Sequence, residues 1–108
     1  MAGMGWIGFD FDGTLAVHES GSMVLGEPVA PMVTLAKQYL AAGYEVRIVT
    51  ARAGSNAWLA PLQVWCHKHL GQIVTITDRK DYDMVLLYDD RAIAVENNTG
   101  KTIGFILP

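Results

Sequence analysis

Trp6-Ile7-Gly8-Phe9-Asp10-Phe11-Asp12-Gly13-Thr14-Leu15 is the stretch on which the fold turns. Trp6 to Phe9 is a short apolar run, aromatic and β-branched around one glycine, and it stops abruptly at two carboxylates and a Gly-Thr pair. A buried parallel strand ends this way at the C-terminal edge of its sheet, the edge where open α/β sheets place their ligands. Alternation along an extended chain sends Asp10 and Asp12 to one side and Phe9 and Phe11 to the other. Two like charges that close do not both stay ionised cheaply unless a cation sits between them or one keeps a proton. The pair therefore implies either a metal-binding carboxylate or a nucleophile beside a general acid. Gly13 lets the backbone turn sharply, although Asp-Gly is also ordinary turn chemistry.

Working outward, Ala16 to Glu27 reads as a loop or small hairpin beside these acids; His18 could line the site, but an exposed loop histidine is the favoured reading. Pro28 and Pro31 suit the first turn of a helix whose apolar positions recur from Val29 to Leu40, with Gly43 as its stop. Tyr44 to Val49 is a second strand ending at Thr50-Ala51-Arg52. Thr50 offers a hydroxyl suited to one oxygen of an anion, and Arg52 could fork onto a phosphate or pair with an acid. A second helix opens after Gly54-Ser55-Asn56 and runs to Leu70, with Gly71 as its stop. Pro61 requires either a helix starting near Ala60 or a kink. Trp58, Leu62 and Trp65 follow one helical face and read as core. His67 and His69, two apart, do not face the same way and make a poor metal pair. Gln72 to Thr77 is a third strand, Asp78 to Asp81 a charged turn, and Met84 to Tyr88 a fourth strand ending in Asp89-Asp90-Arg91. Ala92 to Val95 and Thr102 to Leu107 are short strand-like runs around a turn-rich connection.

Strands alternating with helices in this order predict an α/β fold: a three-layer, Rossmann-like domain with a mainly parallel sheet and helices on its faces. At 108 residues the chain has the length of one domain, and 51% hydrophobic residues suffice for its core. A net charge of −3 without a basic block argues against a general binder of nucleic acid or anionic membranes. Cys66 is the only cysteine, which excludes an internal disulfide and a zinc-thiolate cluster. With no signal-peptide pattern and no apolar run of membrane-spanning length, a cytoplasmic protein without membrane partners is expected.

Asp10, Asp12, Asp89 and Asp90 thus gather at one sheet edge, with Thr50, Arg52 and Lys80 nearby. Hard oxygen ligands without His or Cys select Mg²⁺, which commonly takes a substrate phosphate oxygen as a further ligand. One carboxylate could then attack phosphorus while the other moves protons. Asp10-Phe11-Asp12-Gly13-Thr14, then Thr50 after Ile48-Val49, Lys80, and Asp89-Asp90 resemble, in order, the four motifs of the haloacid dehalogenase superfamily of aspartate-nucleophile phosphatases. The resemblance implies Asp10 as nucleophile and Asp12 as general acid/base, with the Asp12 backbone carbonyl on Mg²⁺. It implies Thr50 and Lys80 as phosphate holders, Asp89 as a metal ligand with Asp90 ligating directly or through water, and Phe11, Gly13, Ala51 and Arg52 as substrate contacts. Lys80 must arrive on a loop, and Arg79 could substitute. The short loop after the first motif matches a capless member, open to a small phosphorylated molecule, a nucleic-acid end or a phosphoprotein, or closed by a second copy of the chain. The expected activity is Mg²⁺-dependent phosphomonoester hydrolysis. Phosphotransfer to another acceptor, or a non-catalytic module that senses Mg²⁺ and phosphate, are the alternatives.

Overall fold

The computed structural model describes residues 5–19 and 24–104. Its main sheet holds β1 (Trp6–Asp10), β2 (Glu45–Val49), β3 (Thr75–Thr77) and β4 (Met84–Tyr88), all parallel, in the order β3-β2-β1-β4. Helix α1 (Ala30–Ala41) joins β1 to β2, and α2 (Asn56–Leu70) joins β2 to β3 after a 3₁₀ turn at Ala51–Gly54. Pro31 sits in the first turn of α1. Pro61 lies inside α2, which starts before it at Asn56; no regular start at Ala60 is needed because the carbonyl freed by the proline belongs to Ala57, an exposed residue. Gly71 ends that helix with φ 82°. β3 is shorter than the apolar run Gln72–Thr77, of which only the last three residues pair. A separate antiparallel pair, β5 (Ala94–Val95) and β6 (Thr102–Ile103), ends the described chain. The remainder of the run Thr102 to Leu107, and Ser20 to Met23 of the early loop, lie outside the described residues.

Ile7 and Phe9 of β1, with Val46 and Ile48 of β2, turn to one face and pack on Val33 and Ala36 of α1 and Leu62, Trp65 and Cys66 of α2. Both helices are therefore on the same side of the sheet, and the described residues form two layers rather than the expected three. The physical reason is topological. Steps from β1 to β2 to β3 run in one direction, and right-handed crossovers place successive helices on one face when the direction does not change. Only the step back to β4 would supply a helix on the other face, and that connection is the short segment between Thr77 and Met84.

This segment covers part of the opposite face itself. Asp81 accepts from the Trp6 indole N–H at 2.8 Å and from Arg47 at 3.3 Å, while the Arg47 guanidinium lies 4.6 Å over the Trp6 ring. Trp6 is thereby buried to 1% exposure without a helix above it. Gly8 lies between Trp6 and Leu87, and a Cβ there would come within 3.0 Å of each. On the helix side, Phe9 stacks on Tyr88 at 4.8 Å, and Phe11 meets Trp65 edge-on at 4.9 Å. No helix among the described residues is long and apolar enough to cross a membrane.

Leu62 is fully buried between α2 and the sheet, away from the strand ends. Leu62→Ala is expected to destabilise the fold by about 2–5 kcal/mol through lost burial and a residual cavity. Urea unfolding would show this.

Candidate active site

After β1 the chain folds into a tight knot. The N–H groups of Thr14, Leu15 and Ala16 all donate to the Phe11 carbonyl at 3.0–3.2 Å, and Gly13 N–H donates to the Ala16 carbonyl at 2.8 Å. Gly13 has φ +88°, and a Cβ there would sit 2.5 Å from an Asp90 carboxylate oxygen. Glycine is needed twice over, for the turn and for the approach of Asp90. The knot points Thr14 inward, buried to 5% exposure, where its hydroxyl donates to Asp90 Oδ1 at 3.1 Å and accepts from Asp90 N–H at 3.0 Å. Thr14 thus fastens the end of β1 to the end of β4. It was not among the expected site residues, although the Asp-Gly-Thr run carried the signal.

The result is a convergence of Asp10, Asp89 and Asp90, with one carboxylate oxygen from each lying within 4.8 Å of the others. Burial, a hydrogen bond with Asp90, and the negative charges of Asp89 and Asp90 push the Asp10 pKa up to about 7, against a small opposing effect of the Phe11 N–H. Burial works against the Asp90 carboxylate too, but hydrogen bonds from Asp10 and Thr14 outweigh it and hold its pKa below the ordinary value. The shared proton therefore resides on Asp10. Three hard oxygen donors with surplus negative charge suit a hard divalent cation, whose entry would replace that proton.

Asp12 takes no part in this charge crowding. Its carboxylate stands across a cleft of about 220 Å³, forked by Arg52 Nε at 2.8 Å and Nη2 at 3.0 Å, with His18 Nδ1 at 3.5 Å. The expected clash between Asp10 and Asp12 is replaced by one between Asp10 and the β4 acids, because Arg52 supplies Asp12 with an opposite charge. The Asp12 side chain is not among the three acids that converge, contrary to its expectation as a metal-ligating carboxylate.

Asp10, Asp12, His18, Thr50, Ala51, Arg52, Asp89 and Arg91 line the cleft. Thr50 is held at the end of β2 by its N–H bond to the Thr77 carbonyl at 2.8 Å, and its hydroxyl accepts from Arg52 N–H at 3.2 Å. That leaves the hydroxyl proton to donate to an anion. Ala51 opens the 3₁₀ turn and borders the cleft. Phe11 and Gly13 do not: the Phe11 ring is buried against Trp65, its N–H serves Asp10, and the Gly13 N–H is used within the knot.

Lys80 is exposed and lies outside the cleft, as does Arg79, which approaches Asp78 at 3.8 Å. The anchoring of Asp81 on Trp6 and Arg47 draws this segment off the strand edge and under the opposite face. The basic side chains that do border the cleft are His18, Arg52 and Arg91. His18 takes the site-lining alternative over the exposed-loop one, and Arg91 had no assigned role; the spatial return of their segments to the edge puts them there.

Gly13→Ala is expected to lower divalent-metal affinity by roughly tenfold and fold stability by about 1 kcal/mol or more, since the methyl group drives Asp90 away and a positive φ disfavours alanine. Calorimetric titration with Mg²⁺ and thermal melting would check both. Comparisons with protein-family models, curated proteins and solved structures give no match.

Proposed function

We propose that the protein is a Mg²⁺-dependent phosphomonoester hydrolase of the haloacid dehalogenase type, acting through an aspartyl-phosphate on Asp10. The observation that carries the reading is the meeting of the Asp10, Asp89 and Asp90 carboxylates at the C-terminal edge of a parallel sheet, with Asp12 across the same cleft. Asp89 and Asp90 with Asp10 would hold the cation, which supplies the positive charge that lets a phosphate dianion approach carboxylates. Thr50 and Arg52 offer the phosphate a hydroxyl and a guanidinium.

In the first step an Asp10 oxygen forms a bond to phosphorus as the ester P–O bond breaks, and Asp12, once it has taken up a proton from solvent, gives that proton to the departing oxygen. In the second, Asp12 takes a proton from water, the hydroxyl oxygen bonds to phosphorus, and the Asp10–phosphorus bond breaks to release inorganic phosphate. Lys80 has no place in this scheme, since Arg52 occupies the cation position at the cleft. Nothing in the described residues roofs the acids, which favours a phosphate at the end of a bulky molecule, such as a nucleic-acid terminus or phosphoprotein, or a site closed by a second copy.

Phosphate release from an aryl phosphate, measured with and without Mg²⁺, tests the reading. Release that requires the cation supports it; no release with Mg²⁺ present defeats it. A panel of sugar phosphates, nucleotides and 3′- or 5′-phosphorylated oligonucleotides then identifies the substrate class.

A further inference from the structure

We propose that Arg52 is a substrate-displaced latch on Asp12: in the free protein it forks the Asp12 carboxylate, and an arriving phosphate takes over the fork and frees Asp12 for proton transfer. The inference rests on the phosphatase reading and deepens it by giving Arg52 a positioning role in addition to binding.

Both Asp12 oxygens accept from one guanidinium, at 2.8 and 3.0 Å, and the arginine side chain is only 13% exposed. A carboxyl group that hands a proton to a leaving oxygen must turn an oxygen toward it, and the fork holds both Asp12 oxygens against the guanidinium, one N–H on each. The same guanidinium borders the cleft beside Asp10 and Thr50, where the phosphate must sit. One fork therefore faces two acceptors, and a phosphate dianion, with more charge and more oxygens than a carboxylate, is the stronger competitor.

The surroundings allow the exchange without loss of the arginine. Its backbone is fixed by the N–H bond to Thr50 Oγ1 at 3.2 Å, while its guanidinium lies 4.2 Å over the Trp58 ring. Attraction to a ring face constrains height above the ring far more than direction within its plane, so the N–H edge can turn from Asp12 toward the cleft while stacking persists. Binding of phosphate and readiness of the acid/base are then one event.

The test is a double-mutant cycle read by calorimetric titration with inorganic phosphate in the presence of Mg²⁺. If Arg52 is free of Asp12 about a tenth of the time, Asp12→Asn raises phosphate affinity about tenfold, because the competing acceptor is gone. In an Arg52→Ala background the same change should give less than about a twofold gain, and Arg52→Lys, which keeps the charge without the fork, should likewise abolish most of the coupling. An equal gain in all backgrounds would mean that only a nearby negative charge had been removed and overturns the latch. So does the absence of a gain in the Asp12→Asn protein. The cycle needs phosphate binding and no turnover, so a parent protein that fails to hydrolyse aryl phosphates sinks the phosphatase reading separately.

Discussion

Asp10→Asn should abolish phosphate release from an aryl phosphate, with a fall of roughly 10³-fold or more in turnover, because the amide cannot form the phosphoenzyme bond. The substitution keeps the volume of the side chain, and its local structure is held by the knot that follows β1, where three N–H groups share the Phe11 carbonyl. It also relieves charge crowding with Asp89 and Asp90, so the variant should be as stable as the parent or more so at neutral pH without divalent cations. Loss of activity in a protein that melts no earlier than the parent separates chemistry from misfolding. Brief reaction with labelled aryl phosphate and acid quenching should trap label on the parent, and none on Asp10→Asn. An active Asp10→Asn protein would remove the covalent mechanism.

The second large effect is the response of stability to Mg²⁺ and pH together. The Asp10 pKa in the fold, about 7, lies above its ordinary value of 3.8. Between these values the native state holds a proton that the unfolded chain has released, so stability must fall as pH rises through this window and level off above it. Asp90, shifted the other way, contributes stability that is present above its ordinary pKa and is lost only on further acidification. In chelator, thermal melting should therefore show a decline from about pH 4 to pH 7. Mg²⁺ should reverse that decline, by on the order of 10 °C at a hundredfold excess over its dissociation constant, and with greater effect at pH 8 than at pH 5, where it must displace a bound proton. Asp10→Asn should lose both the pH slope and most of the Mg²⁺ response. A parent protein whose melting is indifferent to Mg²⁺ at pH 8 would dismiss the three acids as a metal site.

Local sequence pattern was sufficient for much of this. An apolar run that stops at Asp10 forces a strand to end in carboxylates, and the alternation of two further apolar runs with helical periodicity makes the sheet parallel and aligns its C-terminal ends. That Asp10 and Asp89 share an edge follows from this; that they meet needed the strand order, which makes β1 and β4 neighbours with both acids at or just beyond their C-terminal ends. Glycine at position 13 and threonine at 14 were legible as a turn, because backbone conformation is set by near neighbours.

Which charge faces which was decided only in three dimensions. Spacing made Asp12 the competitor of Asp10, yet Arg52, forty positions away, pairs with Asp12, and burial together with Asp90 and Asp89 keeps a proton on Asp10. Lys80 matched by order along the chain, but Asp81 bound to Trp6 and Arg47 pulls its segment beneath the sheet, while Arg91 arrives at the cleft unannounced and His18 lines it, the less favoured of its two readings. The face left without a helix has the same origin, a crossover too short to hold one. Periodicity and strand ends are short-range properties that a sequence displays directly; charge pairing falls off over a few ångströms of space, and residues distant in sequence come that close only after the chain has folded.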